Sequence, residues 1–157
     1  MRTAYGSARS TFENRIDEMS IFTSNELDYL HQQRLGRLAT VDKDGNPHIV
    51  PVGFRYNAET DTIDIGGHDI AQSKKWSDTA RHPRVAFVVD DVLPPWQPRS
   101  ITIQADAELL ENGGEQFGLG FDPQIIRLHP VKIIAWGIDP QRQSRIVKAS
   151  LSSYAQL

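Results

Sequence analysis

After Gly36 the hydrophobic period of this chain changes from helical to alternating, and the alternation returns in segment after segment as far as Ile138. LATV, DKDGNP and HIVPVGFRY read as strand, Asp-Gly turn and strand. In the second strand Val50, Val52, Phe54 and Tyr56 share one face, while Ile49, Pro51, Gly53 and Arg55 share the other. Pro51 has no N–H to give to a ladder, so the strand is expected to be at an edge, bulged or interrupted there. NAETD makes a further turn before the short strand TIDIG. RVAFVVD (84–90), ITIQADAEL (101–109) and VKIIAWGI (131–138) complete the series, with Trp136 expected in the core.

Helices are few. Thr23 followed by Glu26 is a capping box, flanked by Phe22 and Leu27 at the staple positions. A helix from about Ser24 to Arg34 follows, turning Leu27, Leu30 and Tyr29 towards a core. A second runs from about Gln72 to Arg81 and is stopped by His82-Pro83. A parallel α/β fold needs a helix between successive strands, and most are missing. The expected class is therefore mainly β, an antiparallel barrel or sandwich with a few helices. Residues 1–20 are polar and aperiodic and read as a flexible extension, with residues 21–157 as one domain.

Composition narrows the partners. The chain has 157 residues, 39% hydrophobic and 24% charged, with a net charge of −3. That is ordinary for one globular domain and a poor match to a nucleic-acid binder. No apolar run is long enough to cross a membrane as a helix, and the N-terminus lacks the apolar centre of a secretory signal. With no cysteine, disulfides and thiolate zinc sites are excluded. The expectation is a cytoplasmic protein acting on small molecules.

The familiar catalytic signatures are absent: no G-x-S-x-G elbow, no phosphate loop of the GxxxxGK[ST] type, no H-E-x-x-H. His31, His48, His68, His82 and His129 never fall at metal-binding spacing in one helix, so no metal is expected. The informative stretch is IGGHDIAQSKKWSDTARHPR. Gly66 and Gly67 end a strand, and a loop then delivers Ser73, Lys74 and Lys75 into the first turn of a helix. Lysines are misplaced there, because a helix N-terminus already carries about half a positive charge. They make sense if an anion such as a phosphate lies between them and the exposed amides, and equally if both simply point into solvent. Arg55 is near enough in sequence pattern to serve the same anion or to stand idle at a strand end. The loop DDVLPPWQPR presents Trp96 and Arg99, as a pocket wall, a plug or a subunit contact.

These blocks in this order resemble the pyridoxamine 5′-phosphate oxidase-like class: GRLATVDKDGNPHIVPVGFRY, then SKKWSDTARHPRVAFVVDD, then a last strand holding IIAWGI. From ELDYLHQQRLGRLATV through DDVLPPWQPR to IIAWGI the chain is most similar to the coenzyme F420-dependent branch. The resemblance implies a split β-barrel that forms a homodimer, with an isoalloxazine-type ring in a groove between subunits. It places the cofactor phosphate at Ser73, Lys74 and Lys75, and the ring against the strand carrying Pro51 and Val52. Trp96 and Arg99 fall in the loop that resembles the far wall, reaching the other subunit's site, and Arg55 and His68 complete the implied set. Oxidase members use FMN and a basic C-terminal segment for vitamin B6 chemistry, and QRQSRIVKASLSSYAQL does not look like that segment.

The implied activity is hydride transfer from reduced F420 to an electron-poor enone, quinone or tetrapyrrole-like substrate, the cofactor carrying the chemistry and the protein its binding and orientation. No catalytic acid or base stands out; His48, His68 and solvent all remain as proton sources. Two alternatives stay open: an FMN-dependent oxidoreductase on the same barrel, and an F420- or flavin-binding protein without turnover. A haem-binding barrel is disfavoured, since no histidine falls in a recognisable axial position.

Overall fold

The structure is a computed structural model, and it describes residues 20–148. The polar N-terminal extension, save Ser20, and the last nine residues lie outside the described part. The chain opens with α1 (Ser24–Gln32) and then forms β1 (Leu35–Val41), β2 (Pro47–Asn57) and β3 (Thr62–Gly66). A 3-10 turn at Ile70–Gln72 leads into α2 (Lys74–Arg81). β4 (Arg84–Leu93), β5 (Gln97–Leu110), β6 (Ile125–Trp136) and β7 (Gln143–Ile146) follow.

All pairings are antiparallel, in the order β3-β2-β1-β4-β5-β6-β7. β3 also pairs with β6, placing Ile63 opposite Leu128 and Ile65 opposite Ile126. That last pairing closes six strands into a barrel, so the expected class holds. Closure removes the exposed edges an open sheet would present, and β7 is added outside it along β6. The interior takes one face of each strand: Leu38, Val52, Phe54, Ile63, Ile65, Phe87, Val89, Ile101, Ile103, Leu128 and Ile133 are all buried.

The helices close over the barrel. Thr23 and Glu26 form the expected capping box, each side chain bonding the other's main-chain N–H. Leu27, Tyr29 and Leu30 are buried as the spacing requires. Glu26 has no exposed side-chain surface, and Arg145 of β7 neutralises it through Nη1 to Oε1 at 3.0 Å and Nη2 to Oε2 at 2.6 Å. A third bond, Arg145 Nη2 to the Ile21 carbonyl at 2.7 Å, ties the last strand to the first helix.

The expectation at Pro51 held, and two others needed adjusting. β2 runs unbroken through Pro51, but β3 joins it only from Gly53 onward, so Pro51 lies where β2 has a neighbour on one side. β6 begins six residues before the expected strand. Its Pro130 is accommodated because the β5–β6 register shifts between Gln104 and Ala105, leaving Val131 as an extra residue. Trp136 is exposed rather than in the core, because it stands on the outward face opposite Ser100.

Candidate active site

The outward face of β2 is the natural floor for a flat ligand. Ile49, Pro51 and Arg55 are exposed there, while Val52 is buried with Phe54 and Tyr56 on the other face. Val52 thus offers a ligand its main chain alone. Between Pro51 and Arg55 lies Gly53, where a Cβ would meet no heavy atom within 4 Å. The register sets Pro51 beside Arg37 of β1, and Arg37 beside Val88 of β4. Leu35, paired with Gly53, is exposed as well. The result is a smooth, largely apolar shelf of sheet with a gap in its side chains at Gly53. Sequence reading found the face but not the gap, since a glycine in a strand carries no sign of which space it leaves empty.

The segment expected from the sequence to bind an anion starts next door. Gly66, at the end of β3, pairs with Gly53, and the chain passes from there through Gly67 and the 3-10 turn to α2. Ser73 is the N-cap: its Oγ accepts from the Trp76 N–H at 3.4 Å and donates to the Ile70 carbonyl at 2.6 Å. The N–H groups of Lys74 and Lys75 have no intrahelical partner by position. Lys74 has an explanation within the chain. Its Nζ lies 3.1 Å from both carboxylate oxygens of Asp78 and 4.0 Å from Asp42. Asp78 is buried and also accepts from Thr40 Oγ1 at 3.2 Å, so Lys74 neutralises a buried charge.

Lys75 is different. It is half-buried, no described residue bonds its ammonium, and desolvation lowers its pKa from the ordinary lysine value. A cation partly stripped of water and left without a counter-charge is stabilised by any anion that reaches it. Arg55 is likewise without a hydrogen-bond or ion-pair partner among the described residues, although Asp64 lies opposite it in register. Asp64 is taken by Arg127, whose Nε and Nη2 lie 2.8 and 3.0 Å from its oxygens.

The other expected residues are elsewhere. His68 is exposed beside this segment, with its ring stacked on Phe121 at 5.2 Å. Arg99 points to the inner side of the sheet at the mouth of the barrel, bonded through Nε and Nη2 to Asp91 at 3.0 and 2.6 Å and lying over the Tyr29 ring. The Arg99 guanidinium and the Tyr29 hydroxyl hold the Asp91 carboxyl below the usual range, while burial and Asp91 push the Tyr29 hydroxyl up. A cleft of about 280 Å³ opens there between Asn25, Tyr29, Gln32 and Arg99. Trp96 stands at the tip of the β4–β5 hairpin, 76% exposed, next to exposed Val92 and Leu93. Within one chain, then, Pro51, Val52 and Arg55 lie along β2 beside Gly53 and Gly66, while Ser73 and Lys75 stand at the start of α2, whose Lys74 and Asp78 reach Asp42 and Thr40 at the other end of β1; Trp96 and Arg99 lie apart from both groups. His48 Nδ1 is buried without a partner. Among the described residues no helix is long and apolar enough to cross a membrane, and no three acidic or histidine side chains gather as metal ligands.

Comparison with known proteins gives this geometry a context. The pyridoxamine 5′-phosphate oxidase family matches residues 22–137. The chain is 43% identical over 120 residues to the 5a,11a-dehydrotetracycline/5a,11a-dehydrooxytetracycline reductase of Streptomyces rimosus, covering 75% of this chain and 84% of that one. Among solved structures, an FAD-binding protein from Mycobacterium smegmatis superposes with a TM-score of 0.57 at 21% identity, over 81% of this chain and all of that one. The haem storage protein of Vibrio cholerae superposes with a TM-score of 0.52 at 20% identity, over 68% of this chain and 89% of its own. These structural likenesses concern the fold.

Proposed function

The chain belongs to the pyridoxamine 5′-phosphate oxidase family, and from that premise we propose that it is a reductase using coenzyme F420 to reduce an electron-poor double bond of a small molecule. The observation that carries this reading is Lys75, partly desolvated and without a partner among the described residues, at the start of the helix that follows Gly66, the register partner of Gly53 in the open floor. The relative with 43% identity is a reductase of a dehydrotetracycline, which supports a reductive direction and a conjugated substrate.

The residues present suit an anionic, ring-bearing cofactor. Gly53 leaves room for a flat ring to rest on the backbone of β2, with Pro51 as its apolar neighbour. Lys75 and the free amides of the first turn of α2 hold a phosphate, and Lys74 balances Asp78 so that the helix start stays cationic. Arg55 supplies a further cation for the acidic tail that F420 carries and FMN lacks. When bound, the reduced deazaflavin supplies the hydride. The protein binds and orients, and its apolar floor excludes water from one side of the ring.

The site is finished by a second copy of the chain in this reading. Leu35, Ile49 and Trp136 are exposed on the outward sheet face, and Trp96 extends beyond it on a hairpin. A homodimer covers this surface and carries Trp96 towards the partner's groove.

The test is Lys75→Ala, with cofactor affinity followed by F420 fluorescence. Loss of one charge-assisted hydrogen bond weakens binding by about 1.5–3 kcal/mol, roughly ten- to 150-fold. Unchanged affinity refutes the phosphate assignment.

A further inference from the structure

The loop joining β5 to β6 holds two stacked aromatic side chains, Phe117 and Phe121, that the cofactor reading leaves unused. Its sequence, GGEQFGLGFDP over residues 113–123, is costly to order, with Gly113, Gly118 and Gly120 all at positive φ. Even so, the loop is held firmly. The Gly114 N–H donates to the Pro123 carbonyl at 2.8 Å, closing its base, and the Asp122 N–H donates to the Gly67 carbonyl at 3.0 Å. The second bond fixes it to the segment that leads from β3 to α2.

That anchoring builds a short column of rings. Phe117 and Phe121 stack with centroids 5.3 Å apart and planes 26° apart, and His68 also stacks on Phe121, at 5.2 Å and 28°. Phe117 lies over Gly66 so closely that a Cβ there would come within 2.8 Å of the ring. Gly66 is the register partner of Gly53, so the column rises from the rim of the proposed ring site, roughly 5 Å across one strand spacing. Leu119, at the loop tip, is fully exposed. Rings kept near-parallel and only partly buried offer a flat, polarisable surface to another ring system.

We propose that His68, Phe117 and Phe121, with the exposed Leu119 between the two phenylalanines in sequence, form a shelf that selects fused-ring substrates over single-ring ones. This deepens the reductase reading and rests on it. A single six-membered acceptor placed over Gly53 ends before the shelf. A linear fused system reacting at one ring lays its distal rings along Phe121, gaining stacking and apolar burial. The shelf acts on substrate affinity and leaves the hydride-transfer geometry alone.

The experiment uses the full chain, with tetracycline as a fused four-ring probe and cyclohex-2-enone as the single-ring acceptor. Tetracycline affinity, F420 affinity and oligomeric state are measured for the wild type and for Phe121→Ala, His68→Ala and Leu119→Ser. His68 and Leu119 are exposed, so those two variants fold even if Phe121→Ala does not. The expected result is tetracycline binding at least about tenfold weaker in Phe121→Ala and several-fold weaker in the other two. In Phe121→Ala and Leu119→Ser, F420 affinity stays within twofold and turnover of cyclohex-2-enone is unchanged. Tetracycline affinity indifferent to all three substitutions overturns the proposal. So does a parallel loss of F420 affinity, which makes the shelf a cofactor contact, or dissociation of a dimer, which makes it a subunit contact. A wild type that binds tetracycline through the shelf but neither F420 nor flavin keeps the shelf and sinks the reductase reading instead.

Discussion

Replacing Gly53 with valine separates the fold from the site. Gly53 sits mid-strand on β2 at an ordinary negative φ, and a Cβ added there meets no heavy atom within 4 Å. Glycine in a strand interior costs roughly 0.5–1 kcal/mol in backbone entropy, and valine is among the best strand formers. Gly53→Val should therefore raise the free energy of unfolding by about 0.5–1 kcal/mol and the melting temperature by roughly 1–4 °C. The same side chain would occupy the floor on which the proposed cofactor ring rests. A gap of even 0.5–1 Å forfeits a quarter to a half of the dispersion attraction, and an isopropyl group lifts a ring by more than that. Cofactor affinity should fall at least about tenfold, or ~1.4 kcal/mol. The assays are thermal denaturation of the unliganded protein and a fluorescence titration with F420. A variant that is stabilised as expected yet binds F420 within twofold of wild type refutes the placement of the ring over β2.

Burial lowers the Lys75 pKa, so the cationic form that binds phosphate is lost earlier on raising pH than for an exposed lysine. F420 affinity should decline on the alkaline side, and Lys75→Arg should move that decline to higher pH; a profile identical in the two proteins contradicts the assignment. Arg145→Ala leaves the fully buried Glu26 carboxylate without its partner and should destabilise the fold by about 3–5 kcal/mol, a fall in melting temperature on the order of 10 °C, measured by calorimetry. A loss under 1 kcal/mol means that water reaches Glu26 once the arginine is gone.

The parts of this fold that were legible in the sequence are those fixed by local chemistry. Thr23 and Glu26 start α1 by bonding each other's backbone, which the spacing alone dictates. The Asp-Gly turn and the alternation of β2 set which residues face the core. β7 was not legible, because Gln143, Ser144 and Arg145 have no apolar period; the strand exists through its pairing with β6 and the reach of Arg145 to Glu26. The first half of β6 was hidden by Pro130, which the bulge at Val131 accommodates. At the site, the misplaced lysines were visible, but only the structure separates them. Lys74 is drawn to Asp78, one turn along the same helix, while Lys75 has no partner among the described residues. The ring column escaped notice because His68 lies about fifty positions from Phe117 and Phe121, and nothing local joins them.

The central claim is that this barrel holds a deazaflavin. Titrating the wild-type protein separately with F420 and FMN, each followed by its own fluorescence, tests it most directly. The account predicts micromolar or tighter binding of F420, FMN much weaker, and F420 binding roughly ten- to 150-fold weaker in Lys75→Ala. Preference for FMN would place the chain among the flavin-dependent members of its family, and failure to bind either would contradict the cofactor site built here around Gly53 and Lys75.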